Sequence, residues 1–122
     1  MFRFLKSMGY ALNGLFYALK TERNVQIWLG VMLATFGIAF WLEVSQIEFI
    51  LIALWMCGIG TSEYLNTAIE KLSDRVTTEY DEQIKNVKDV SAGATFIIST
   101  GAFICCMFIF VPKFLAKFEI GF

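Results

Sequence analysis

The sequence contains no histidine, so it lacks the side chain that most often binds metals and that carries protons near pH 7. Only 17% of its 122 residues are charged, against about 25% in a typical soluble domain. The net charge of −1 leaves no basic excess for binding nucleic acid. No Walker A pattern, a glycine-rich loop ending in Lys-Ser or Lys-Thr, is present. The chain is 57% hydrophobic with a mean hydropathy of +0.64, which indicates one membrane domain.

Cysteine and proline are also scarce. The three cysteines, Cys57, Cys105 and Cys106, lie inside apolar runs without CxxC spacing. We therefore predict buried thiols in packed helices and neither a disulfide nor a zinc site. The only proline, Pro112, directly follows the last apolar run, where we expect it to stop the helix.

Three apolar runs are long enough to cross a membrane, at residues 25–42, 47–69 and 91–111. A crossing of the hydrocarbon core, roughly 30 Å, needs about 20 residues at helical rise. Because a backbone in lipid must satisfy its own hydrogen bonds, we predict helices for all three. Trp28 and Trp41 lie near the ends of the first run, as is typical of membrane interfaces.

The first 20 residues have a different pattern. Large apolar side chains recur there at spacings of three and four, at Leu5, Met8, Leu12, Leu15 and Leu19. This periodicity predicts an amphipathic helix lying in the membrane interface. The alternative is a cleaved signal peptide, which is disfavoured because charged residues at 20, 22 and 23 interrupt the apolar region and no cleavage site follows.

Lysine and arginine are distributed unevenly between the connections. Four precede the first span and four lie in the linker between the second and third spans, whereas the short hairpin at 43–46 has none. Basic residues favour the cytoplasmic side. We therefore predict that the N-terminus and the long linker are cytoplasmic and that the hairpin and the C-terminus are outside.

A polar stripe continues from the second span toward the cytoplasm. At 100° per residue, Glu63, Asn66, Glu70 and Asp74 fall within about 60° of one another on a helix. Glu63 would lie about 10 Å deeper than Glu70 at the helical rise. An ionisable residue inside a membrane span is expensive to maintain and is by default a functional-site hypothesis.

Further polar residues are expected at the same membrane surface. Glu22 marks the cytoplasmic entrance of the first span, and Lys88 and Asp89 precede the third. Carboxylates suit Mg²⁺ that bridges to substrate phosphates, and lysine suits phosphate oxygens. Phosphoryl transfer needs mainly positioning, metal charge and a base for the attacking hydroxyl. The sequence therefore predicts phosphoryl transfer at the cytoplasmic surface of the membrane.

Two motifs connect the chain to a known family. They are EYLNTAIEKLSD at residues 63–74 and KDVSAGA at residues 88–94, and the spacing from Arg3 and Tyr10 through Glu22 also fits. Over nearly its whole length the chain resembles the small prokaryotic diacylglycerol kinases and the related undecaprenol kinases. The resemblance implies an all-α homotrimer in the bacterial cytoplasmic membrane. Each chain is a single domain, residues 1–122, with three transmembrane helices and an interfacial N-terminal helix.

The resemblance also implies an activity and a set of residues. Members transfer the γ-phosphate of Mg-ATP to a lipid hydroxyl, so Glu63 would be the general base and Asn66 would hold the reacting groups. Glu22 and Glu70 would bind the metal. The residues expected to contact ATP are Arg3, Tyr10, Glu22, Glu70, Glu79, Tyr80, Asp81, Lys88 and Asp89. Those expected at the lipid are Glu63, Ala92 and Trp28. The family often has histidine at the position of Asp81.

Other interpretations remain open at this point. Glu63 could be a neutral buried carboxyl that is paired across helices. Glu70 could be part of an ordinary solvated helix end, and Glu22 could be only an interface anchor. Lys88 could be a basic residue that only sets the membrane topology. A second class of function is a small multidrug transporter-like or regulatory protein with one functional intramembrane glutamate. Three spans and a charged linker count against that class, which usually has four spans. For the lipid, the TERN and FVPK segments resemble the undecaprenol kinase branch of the family more than the diacylglycerol kinase branch, which favours undecaprenol over diacylglycerol.

Overall fold

The computed structural model describes residues 1–119, which form four helices connected by short segments. The helices are α1 (Phe2–Thr21), α2 (Arg23–Trp41), α3 (Gln46–Val76) and α4 (Glu82–Phe118). Residues 1–119 contain no strand. Helices α2, α3 and α4 are each long and apolar enough to cross a membrane. The predicted all-helical architecture with three membrane-spanning helices is thus confirmed at this level, and the homotrimer and the interfacial position of α1 stay predictions.

A sharp corner separates α1 from α2. Glu22 alone has extended backbone angles there, φ −111° and ψ 118°, and its N–H donates to the Ala18 carbonyl at 2.8 Å. The Gln26 side chain reaches back from α2 and donates to the Leu19 carbonyl at 2.9 Å. These bonds satisfy carbonyls that the end of a helix leaves without partners. They also fix the corner at which the Glu22 carboxylate projects.

The opposite end of the bundle holds the α2–α3 hairpin. Ser45 Oγ accepts from the Glu48 N–H at 3.2 Å, and Glu48 Oε1 accepts from the Ser45 N–H at 2.8 Å. This reciprocal capping box defines the start of α3. Lys113 of α4 adds an ion pair to Glu48 at 3.2 Å. The hairpin is therefore tied to α4 as well as to its own helices.

Helix α4 corrects one expectation, because it does not end at Pro112 but continues to Phe118. Proline removes one backbone hydrogen bond, which membrane helices tolerate when neighbouring groups compensate. Contacts with the end of α2 hold the last turns in place. Lys117 Nζ donates to the Trp41 carbonyl at 3.0 Å. The rings of Phe114 and Phe118 lie 6.2 and 6.1 Å from the Trp41 ring.

The core lies between α3 and α4, with α2 packed against α3. Ile52 is fully buried there, and Gly60 allows the Trp28 ring to rest on the α3 backbone. Such small residues let membrane helices approach closely. All three cysteines are free within the chain, and Cys106 is buried. The expectation that all three are buried is wrong for Cys57, which is exposed, and Cys105 is only half-buried.

Candidate active site

Tyr64, the neighbour of Glu63, ties three helices together. Its hydroxyl donates to the Leu15 carbonyl of α1 at 2.8 Å. Its ring meets the Trp28 ring of α2 edge to face, with centroids 6.3 Å apart. The Trp28 indole N–H in turn donates to the Met56 carbonyl of α3 at 2.8 Å. Glu63 therefore projects from a part of α3 that α1 and α2 both hold.

Glu63 lines a cavity between α2, α3 and α4 with a volume of about 460 Å³. On α2 the lining extends from Asn24 to Ile38, about 21 Å of helix at 1.5 Å per residue. Most of the lining is apolar, and it includes Trp28. Two of the three residues predicted to meet a lipid, Glu63 and Trp28, thus share one cavity. Ala92 is exposed on α4 outside the lining, and its role stays a prediction.

Asn66 lies one helical turn beyond Glu63 and is 6% exposed. Its Nδ2 donates to Glu70 Oε1 at 3.2 Å, so the predicted stripe on α3 includes a direct contact. Its Oδ1 is buried and accepts no hydrogen bond from residues 1–119. A buried acceptor without a donor costs about 1–3 kcal/mol. The side chain therefore keeps an oxygen that a bound group can satisfy.

Glu22 meets α3 through an ion pair. Lys71, which directly follows Glu70, places its ammonium 2.7 Å from Glu22 Oε1. The same ammonium lies 5.5 Å from the centroid of the Tyr17 ring. The hydrogen bond with Glu22 raises the pKa of Lys71, which lies beyond the predicted span, so this side chain stays charged at neutral pH. The ion pair thus joins the α1–α2 corner to the residue that directly follows Glu70, the other predicted metal ligand.

Apart from Glu22 and Glu70, the residues predicted to contact ATP divide into two groups. Lys88 of α4 pairs with Asp74 at the end of the α3 stripe at 2.6 Å. Asp89 instead pairs with Lys85 on its own helix. Asp81 Oδ1 accepts from the Ile84 N–H at 3.0 Å and caps the start of α4. The remaining four are exposed, and their side chains make no hydrogen bond or ion pair within residues 1–119: Arg3, Tyr10, Glu79 and Tyr80.

The two carboxylates predicted to bind metal are of the type that suits a hard cation shared with phosphate. Residues 1–119 contain no cluster of three or more acidic or cysteine side chains that could hold a metal ion by themselves. Mg²⁺ in phosphoryl-transfer sites usually takes one or two carboxylates and completes its shell with water and substrate phosphates. The chemistry of Glu22 and Glu70 therefore fits a metal that arrives with a nucleotide, and Glu70 contacts Asn66, whose Oδ1 is unpartnered within residues 1–119.

Comparison with known proteins gives the family. Residues 9–110 match the family described as prokaryotic diacylglycerol kinase. The chain belongs to this family. A relative from Bacillus subtilis (strain 168), named undecaprenol kinase, is 36% identical over 91% of this chain and 90% of its own length. Two relatives named diacylglycerol kinase are also similar. That from Escherichia coli (strain K12) is 35% identical over 78% of each chain, and that from Synechocystis sp. is 34% identical over 92% of this chain and 65% of its own.

The prokaryotic diacylglycerol kinase family confirms the predicted enzyme class, because its name and those of the relatives are names of lipid kinases. With three helices of spanning length, the chain is a multi-pass membrane protein of that family. The comparisons do not assign individual site residues, so the roles given to them stay predictions.

Sequence reasoning missed three partners that the fold supplies. Lys71 pairs with Glu22, Asp74 pairs with Lys88, and Tyr64 bonds to α1. Asp74 was visible as the last member of the polar stripe, although its partner was not. For Tyr64 and Lys71 the available signal was only that each directly follows a predicted site residue.

Proposed function

We propose that this chain transfers the γ-phosphate of Mg-ATP to the hydroxyl of a membrane lipid alcohol at the cytoplasmic surface. One observation carries the proposal: a carboxylate, Glu63, lines a largely apolar cavity between the spanning helices. One turn further along the same helix, Asn66 contacts Glu70 on the side that leads out of the span. A lipid body and a charged co-substrate can therefore approach the same stretch of α3 from opposite directions.

Each residue has a distinct part in this reaction. Glu63 accepts the proton of the lipid hydroxyl, since it is the acidic side chain in the cavity lining. Asn66 holds the reacting groups through its unpartnered oxygen. Glu22 and Glu70 hold Mg²⁺, which when bound offsets the charge of the transferring phosphoryl group. The other residues expected to contact ATP are Arg3, Tyr10, Glu79, Tyr80, Asp81, Lys88 and Asp89.

The assembly and orientation form part of the same proposal. The distribution of lysine and arginine supports a cytoplasmic N-terminus, a cytoplasmic α3–α4 linker and an external C-terminus. Helix α1 lies in the cytoplasmic interface, consistent with its many exposed apolar side chains. The chain functions as a homotrimer in the bacterial cytoplasmic membrane, and large apolar side chains on every helix remain exposed in the single chain.

Glu63→Gln tests the central role. The variant removes the base and keeps the shape of the side chain, so we expect lipid phosphorylation to be lost while a non-hydrolysable ATP analogue still binds. A fall in turnover with little change in nucleotide affinity marks a transition-state role. The matched control is Glu43→Gln, the same change in the exposed turn of the α2–α3 hairpin, which should keep normal turnover.

Two results would contradict the assignment: near-normal turnover in Glu63→Gln, or loss of nucleotide binding in parallel with activity. The measurement is transfer of labelled phosphate from ATP to lipid by purified protein in mixed micelles. Complete absence of labelled lipid from the unmodified protein would favour the transporter-like alternative. Offering undecaprenol and diacylglycerol together in one reaction identifies the acceptor, and we expect undecaprenol to be phosphorylated preferentially.

A further inference from the structure

Lys71 holds a position that the family motif leaves unspecified, between Glu70 and the later aspartate of the EYLNTAIEKLSD segment. Its ammonium lies 2.7 Å from Glu22 Oε1 and 5.5 Å from the centroid of the Tyr17 ring. The side chain thus connects α3 to the last turns of α1 and to the α1–α2 corner. No other lysine or arginine within residues 1–119 forms an ion pair with Glu22.

We propose that Lys71 is the resident counter-ion of Glu22, which a divalent cation must displace when it binds there. The inference rests on the proposed role of Glu22 as a metal ligand. An ammonium at 2.7 Å occupies the carboxylate oxygen, and it also repels a second cation that approaches the same atom. In the nucleotide-free protein Lys71 therefore lowers the affinity of this corner for metal.

The geometry of the pair suits displacement. The side chains of Lys71 and Glu22 are 46% and 24% exposed, so solvent reaches the pair, and ion pairs that solvent reaches are weak. A doubly charged ion therefore competes well for the carboxylate. The displaced ammonium keeps a contact, because the Tyr17 ring lies beside it and aromatic faces attract cations. Lysine has a flexible four-carbon stem, so the ammonium can shift without moving α3.

Binding of Mn²⁺ to the nucleotide-free protein in detergent micelles tests the proposal, followed by the electron paramagnetic resonance signal of unbound Mn²⁺. Lys71→Met should bind Mn²⁺ about three- to tenfold more tightly than the unmodified protein. Lys71→Arg, which keeps the charge, should bind like the unmodified protein. The matched control is Lys20→Met, which removes a nearby positive charge that is not paired with Glu22 and should have a smaller effect because solvent screens it.

The double variant Lys71→Met with Glu22→Gln should lose the gain, which assigns the added affinity to that carboxylate. Equal Mn²⁺ binding by Lys71→Met and the unmodified protein, including no binding by either, would overturn the proposal, as would weaker binding by Lys71→Met. Lys71→Gln serves as a second neutral variant if Lys71→Met does not fold. If the unmodified protein phosphorylates lipid and this binding result is negative, only the counter-ion role fails. If it phosphorylates no lipid, the proposed function fails.

Discussion

Gly60→Ala gives a stringent test of how α2 packs against α3. A Cβ atom at position 60 would lie 2.3 Å from Cζ2 of Trp28, 2.5 Å from its Cε2 and 2.9 Å from its Cη2. All three atoms belong to a rigid ring, so bending the end of a side chain cannot relieve the clash. The ring also cannot slide freely, since its N–H donates to the Met56 carbonyl at 2.8 Å.

The size of the effect follows from these contacts. Overpacking a tight contact costs about 1–3 kcal/mol, and losing the indole hydrogen bond costs about 0.5–1.5 kcal/mol. Alanine recovers about 1 kcal/mol as the better helix former. We therefore expect Gly60→Ala to lower the free energy of unfolding by about 0.5–3.5 kcal/mol. Gly30→Ala on α2 is the control, because a Cβ there meets no atom within 4 Å.

The free energy of unfolding is measured by titrating micelles with sodium dodecyl sulfate. Tryptophan emission reports the local change, in a background where Trp41 and Trp55 are replaced by phenylalanine so that Trp28 alone contributes. We expect a shifted emission maximum in Gly60→Ala and none in Gly30→Ala. Equal stability of the two variants, with the same emission spectrum, would show that Trp28 does not rest on Gly60 and would refute the packing described for α2 and α3.

Two further predictions concern the metal and the orientation. Glu22→Gln and Glu70→Gln should each keep the fold and weaken use of Mg-ATP severely, because an amide binds a hard cation less well than a carboxylate. Unchanged dependence on Mg-ATP in both variants would exclude these two side chains as metal ligands. Single cysteines at 44–46, in a variant without the native cysteines, should react with an impermeant reagent from outside, whereas a cysteine at Gln83 should react only after the membrane is opened. The opposite pattern would put the proposed site on the side without ATP.

The helices could be predicted from the sequence because a backbone segment that crosses a membrane can form only a few kinds of secondary structure. The backbone of an apolar run of spanning length must form its hydrogen bonds within the run. Its composition and length therefore predict a helix. The end of α4 shows where this reasoning stops. Local sequence suggests termination at Pro112, but Lys117 and two phenylalanines bind the end of α2 and keep the helix continuous. Those contacts depend on which helices are neighbours, and the sequence does not specify this.

The candidate site likewise has some contacts that the sequence predicts and others that it does not. The contact between Asn66 and Glu70 follows from helical periodicity, because residues four apart on one helix lie on the same side. The pairing of Glu22 with Lys71 joins different elements and depends on the rotation of α3 about its axis. The cavity beside Glu63 likewise exists only once three helices are packed. Chemistry carried by one helix was therefore predictable, and chemistry shared between helices was not.

The continuity of α3 has a mechanistic consequence for the proposed reaction. The helix runs without a break from Gln46 to Val76, so Glu63 and Glu70 are held about 10 Å apart along its axis. A lipid hydroxyl that reaches Glu63 comes from the cavity, and a nucleotide held at Glu70 comes from the water side. Asn66 lies between them with one oxygen unpartnered among residues 1–119. A single continuous helix thus sets the axial spacing between the proposed base and the proposed metal ligand.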